Sequence, residues 1–96
     1  MLTRDQIVER IRARRDELRR YGVTSLDLFG SFARDEGGES SDVDMLVEFD
    51  QVSFDHYMDL KFFLEDLLGK PVDLVIRRSL KPALRESVLR EARRVA

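Results

Sequence analysis

Residues 35–41, DEGGESS, form a loop by composition, with two glycines and two serines among seven residues. This loop divides two apolar-periodic segments, and no other feature constrains the chain as much. Upstream, Val23–Phe29 reads as a strand that closes on Gly30-Ser31. Downstream, Val43, Met45, Val47 and Phe49 alternate with Asp44, Leu46 and Glu48, the period of a strand buried on one face. Asp42 and Asp44 open that second strand, ten residues (Phe32–Ser41) after the Gly-Ser pair. A short helical piece is expected over Phe32–Asp35.

The flanking segments supply helices for the sheet. Thr3 and Gln6 form a capping box, with Leu2 and Ile7 as the hydrophobic staple across it. Ile7, Ile11 and Leu18 share one face, Val8 lies at its edge, and Gly22 supplies a left-handed stop. A second helix starts at N-cap Ser53, runs through Tyr57, Leu60, Leu64 and Leu67 to Gly69, and is blocked by Pro71. Its aromatic residues Phe54, Tyr57, Phe62 and Phe63 are expected in the core, with an exposed partner-binding patch as the alternative. Val72–Ile76 reads as a short buried strand. A last helix starts near Pro82, with Leu84, Val88, Ala92 and Val95 as its expected buried stripe. The order α-β-β-α-β-α places the chain in the α/β (α+β) class, a small mixed β-sheet with helices packed against it.

Ninety-six residues make one expected domain, residues 1–96. The absence of cysteine excludes disulfides, thiolate zinc sites and cysteine nucleophiles, and fits a reducing cytoplasm. No apolar run approaches the roughly 18 residues of a membrane span, and Arg4 and Asp5 stand where a signal peptide needs apolar residues. The net charge of −2 hides a strong asymmetry. Residues 21–76 carry thirteen acids against three bases, while each end is rich in arginine. An acidic centre suits a metal, and basic ends suit anion contacts or solvated helices.

Asp42 and Asp44 are two apart on a strand, so their side chains share a face, with Cα atoms about 6.6 Å apart at roughly 3.3 Å per residue. Like charges this close favour a bound divalent ion, and carboxylate ligation points to Mg²⁺ or Mn²⁺. Asp73, the one acid of the third strand, is the third candidate, because a lone buried carboxylate is costly. Gly30 lets backbone approach a ligand closely, and Ser31 adds a hydroxyl and an N–H for a phosphate. Arg34 either reaches a phosphate or pairs with Asp35, Glu36 or Glu39. Ser41 is expected to bond local backbone, and His56 to be a partly exposed surface residue without a catalytic role. Lys61, Arg77 and Arg78 are expected as solvated cations, with positive charge near a triphosphate as the alternative.

The pattern Gly-Ser, ten residues, Asp-x-Asp resembles that of the DNA polymerase β nucleotidyltransferase superfamily. The stretches LFGSFAR, SSDVDMLVEF, LLGKPVDLV and RRSLKPALRESVLREA more closely resemble the minimal nucleotidyltransferase (MNT) antitoxins paired with HEPN ribonuclease toxins. The resemblance implies a nucleotidyltransferase-like fold in which Gly30 and Ser31 contact nucleotide phosphates. Asp42, Asp44 and Asp73 would then be both catalytic residues and metal ligands. Phe32 is a departure, since related sequences often carry arginine there.

The implied reaction transfers AMP from ATP using two Mg²⁺ ions, about 3.5–4 Å apart as in-line displacement requires. Asp73 also qualifies as general base. The implied acceptor is a tyrosine hydroxyl near the ribonuclease site of a HEPN toxin, with no membrane or direct nucleic-acid contact. A homodimer is compatible with the sequence. Two alternatives are carried: a non-catalytic antitoxin that acts by occlusion, and a small-molecule nucleotidyltransferase.

Overall fold

A computed structural model describes residues 1–96. The Thr3 capping box forms in both directions, with the Gln6 N–H on Thr3 Oγ1 at 3.2 Å and the Thr3 N–H on Gln6 Oε1 at 3.0 Å. It opens α1, Arg4–Ala13, which buries Ile7 and Ile11. The first helix is broken where the sequence suggests continuity. Arg14 leaves the helical conformation, α2 (Arg15–Leu18) resumes, and a 3₁₀ turn over Arg19–Tyr21 ends on Gly22 at φ 73°. No proline or glycine marks this break. Its product is a change of direction that buries Leu18 and delivers the chain into the sheet.

The sheet is mixed and four-stranded. Strand β1, Val23–Phe29, pairs antiparallel with β2, Val43–Phe49, placing Leu26 opposite Val47 and Leu28 opposite Met45. Helix α4, Phe54–Leu68, then crosses to β3, Val72–Ile76, which lies parallel to β2. A two-residue strand β4, Arg93–Arg94, closes on β1, giving the order β3-β2-β1-β4. One face of this sheet packs against α1 and α4. There Leu26, Leu28, Met45 and Val47 meet Ile7, Ile11, Leu60 and Leu64 in one core cluster, each essentially inaccessible to solvent.

The bounds of α4 and of the three long strands follow their local signals. Ser53 caps α4 by accepting the His56 N–H at 3.1 Å, and Gly69 ends it at φ 69°. The C-terminal quarter departs from expectation. Helix α5, Pro82–Glu91, buries no residue: Leu84 is 54% exposed and Val88 only half-buried. The expected stripe fails because Ala92 leaves the helix at ψ 139°. Val95 is buried from beyond β4 instead, as part of the extended tail. The aromatic cluster divides too. Tyr57 and Phe63 pack on the core, whereas Phe54 is 73% and Phe62 55% exposed, because they project from the outer side of α4.

Leu64 sits at the centre of the α4 contact with the sheet and is 0% exposed. Leu64→Ala is expected to lower the unfolding free energy by about 2–5 kcal/mol, read from urea titration. A loss under about 1 kcal/mol would contradict this packing.

Candidate active site

The parallel register of β2 and β3 places Asp44 opposite Asp73 on the sheet face away from the core. Across the other side of β2, Phe29 is the partner of Asp44, so the end of β1 and its turn adjoin the same carboxylate. Asp42 lies one residue before β2 and is exposed. Asp73 is exposed as well, on an edge strand. The expectation that it needs a partner because it is buried is therefore corrected; what distinguishes it is its neighbour. Asp44 is half-buried, and its carboxyl is held above the usual carboxylate range. Burial is the main cause, followed by repulsion from Asp73 and then Asp42, with Arg34 opposing.

Gly30 makes this closeness possible. It follows extended Phe29, adopts φ 72°, and opens the short helix α3, Gly30–Ala33, slightly earlier than the sequence suggests. A Cβ at Gly30 would run into the Asp44 carboxylate. The position thus needs glycine both for its backbone angle and for its space. Ser31 comes next, half-buried. Phe32 points into the protein at 2% exposure, under Gly37, with Lys70 Nζ 5.6 Å from its ring centre. The same lysine donates to the carbonyls of Gly38 and Glu39, at 3.2 and 2.8 Å. Ser41 Oγ accepts the Gly38 N–H at 3.1 Å, the local turn bond expected of it. These bonds shape the loop that delivers Asp42 to β2. Phe32 is a packing residue here.

Arg34 pairs with Glu36 at 3.1 Å and with Glu91 at 2.8 Å. The second partner comes from α5, 57 residues away, and no local signal announces it. Glu91 also accepts the Gly30 N–H at 3.1 Å. Arg77 is no solvated cation either. Together with Arg94 it pairs with Asp27, which is 5% exposed, and it also bonds Glu48 at 3.0 Å. Asp27 and Glu91 are the two acids that sequence reasoning passed over. Asp27 alternates with Leu26 and Leu28 in β1, and that apolar setting was the available clue. His56 is half-buried, the partly exposed position expected of it, with Nδ1 buried and unpartnered.

Carboxylate oxygens that repel one another suit a hard divalent cation in kind. They are not gathered around a single point, since no three acidic or histidine side chains stand close enough to ligate one ion. Asp42 and Asp73, being exposed, have the side-chain freedom to turn toward Asp44.

Known proteins share this fold and family. The nucleotidyltransferase domain family matches residues 8–95. Protein adenylyltransferase MntA of Thermococcus cleftensis is 45% identical over 95% of this chain and 94% of its own length. A candidate protein adenylyltransferase of Methanocaldococcus jannaschii is 41% identical over 92% and 93%. Among solved structures, a candidate minimal nucleotidyltransferase superposes with TM-score 0.74 at 45% identity, covering 90% of this chain and 93% of that one. A chain from a toxin–antitoxin structure containing MntA superposes with TM-score 0.68 at 25% identity, covering 100% and 73%. The chain belongs to the nucleotidyltransferase domain family, and within it to the minimal nucleotidyltransferases. It is an enzyme of the nucleotidyltransferase class.

The raised Asp44 value fixes the sign of a stability effect. Its contribution to the fold is fully present below the ordinary carboxyl value of 3.8 and is lost as pH rises through the raised one. At neutral pH the ionised group works against the metal-free fold. Asp44→Asn is therefore expected to raise the melting temperature of metal-free protein at pH 7 by a few degrees, the gain shrinking toward pH 4. An unchanged or lower value at pH 7 would contradict the crowding of these carboxylates.

Proposed function

We propose that the chain, acting as one minimal nucleotidyltransferase domain, transfers AMP from ATP to a tyrosine hydroxyl of a HEPN-type ribonuclease toxin and thereby silences it. The observation that carries this reading is the register of Asp44 against Asp73, with the Gly30 turn abutting Asp44. The similarity to a named protein adenylyltransferase over nearly the whole chain supports the reaction class, and the toxin–antitoxin relatives support the partner. The proposed compartment is the cytoplasm; no helix is long and apolar enough to cross a membrane.

Gly30 and Ser31 would seat the β and γ phosphates, Ser31 through its hydroxyl and backbone N–H, and Arg34 would add a cation after exchanging its acidic partners. Asp42, Asp44 and Asp73 would hold two Mg²⁺, with Mn²⁺ as a substitute; when bound, these ions acidify the acceptor hydroxyl and offset charge on the departing pyrophosphate. The acceptor oxygen bonds to the α-phosphorus as the bond from that phosphorus to the bridging oxygen breaks. Pyrophosphate leaves with the electron pair. Asp73, exposed like Asp42, would take the hydroxyl proton.

The exposed Phe54 and Phe62 favour a second reading, in which the protein neutralises its partner by covering it. One experiment separates the two. Toxin incubated with this protein and Mg²⁺-ATP is expected to gain AMP mass, and Asp73→Asn is expected to slow that gain by roughly 10²–10⁴-fold. Neutralisation that persists without any AMP gain would establish occlusion and end the catalytic reading.

A further inference from the structure

Glu91 closes α5, and its carboxylate lies where the preceding reading seats a phosphate. One oxygen accepts the Gly30 N–H at 3.1 Å and the other meets the Arg34 guanidinium at 2.8 Å. A backbone N–H beside a guanidinium is a pair of donors suited to a phosphate oxygen as well as to a carboxylate. Glu91 is also close enough to Asp44 for its charge to be felt there. A triphosphate and this carboxylate cannot share the two donors without strong like-charge repulsion.

The surroundings allow Glu91 to leave. No residue of α5 is fully buried, so the helix is lightly held along its length. The chain is fastened just beyond, where Arg93 and Arg94 pair with β1 and Val95 is 2% exposed. Glu91 therefore sits between a loose helix and a fixed tail, and its side chain can swing away while the tail stays in place.

We propose that Glu91 is a built-in anion that occupies the phosphate seat of the nucleotide-free protein and must be displaced when a nucleotide binds. The proposal rests on the nucleotide site described above. While seated, Glu91 keeps Arg34 from collapsing onto Asp42 or Asp44, and it raises the nucleotide concentration needed to fill the site. The apparent affinity is reduced by the fraction of molecules in which Glu91 is seated.

Binding of a non-hydrolysable Mg²⁺-ATP analogue and of tripolyphosphate, by calorimetry, tests this on wild type and Glu91→Gln. The glutamine keeps the shape and can still accept the Gly30 N–H, so the comparison isolates charge. Both ligands are expected to bind Glu91→Gln about three- to tenfold tighter, with adenosine unchanged. Equal or weaker triphosphate binding by the variant would overturn the proposal and make Glu91 a brace for the turn. Should Glu91→Gln fail to fold by thermal melting, Glu91→Ser, which is also uncharged, carries the same expectation. Failure of the wild type and the variant alike to bind any triphosphate would instead remove the nucleotide site, and the proposal with it.

Discussion

Two carboxylates held in register on neighbouring parallel strands are the constraint on which this molecule turns. Asp44 and Asp73 face each other because α4 carries the chain across to a β3 that runs parallel to β2. The cost of that juxtaposition is visible in Asp44, whose ionised form is disfavoured by burial and by both neighbouring acids. The turn at Gly30 brings the end of β1 against the same group, where only the absence of a side chain gives it room. Helix packing on the opposite face supplies the stability against which this crowding is maintained.

A second carboxylate on the same sheet face is treated in the opposite way. Asp27 is nearly inaccessible, yet two guanidinium groups, Arg77 and Arg94, meet it directly. Those ion pairs tie β1 to the turn after β3 and to β4, so Asp27 fastens the C-terminal tail to the sheet. The chain thus neutralises one acid from within and leaves another uncompensated. An acid left so is the one to expect at a reactive centre.

Much of the fold was legible because its signals are local. Alternation in Val43–Phe49, the Ser53 cap and Gly69 stop, and the Thr3–Gln6 box each depend on a few adjacent residues, and each appears in the structure as read. The break at Arg14 and the two-residue β4 carry no such signal, since both are set by what the chain meets in three dimensions. The apolar spacing of Leu84, Val88, Ala92 and Val95 misled because the helix ends before the last two. Asp42, Asp44, Asp73 and the Gly-Ser turn are candidates from spacing and resemblance, and the fold sets Asp44 beside Asp73 and Gly30. Glu91 could not be named so, because its link to Gly30 spans 61 residues.

In the proposed complex a metal-bound nucleotide tail lies between the Gly30–Ser31 turn and the three aspartates. Crystals grown with Mn²⁺ and a non-hydrolysable ATP analogue, measured for anomalous scattering, test it most directly. Manganese peaks ligated by Asp42, Asp44 and Asp73 are expected, with the outer phosphates against Gly30 and Ser31. Ordered nucleotide elsewhere on the surface, or manganese that avoids Asp44, would contradict it.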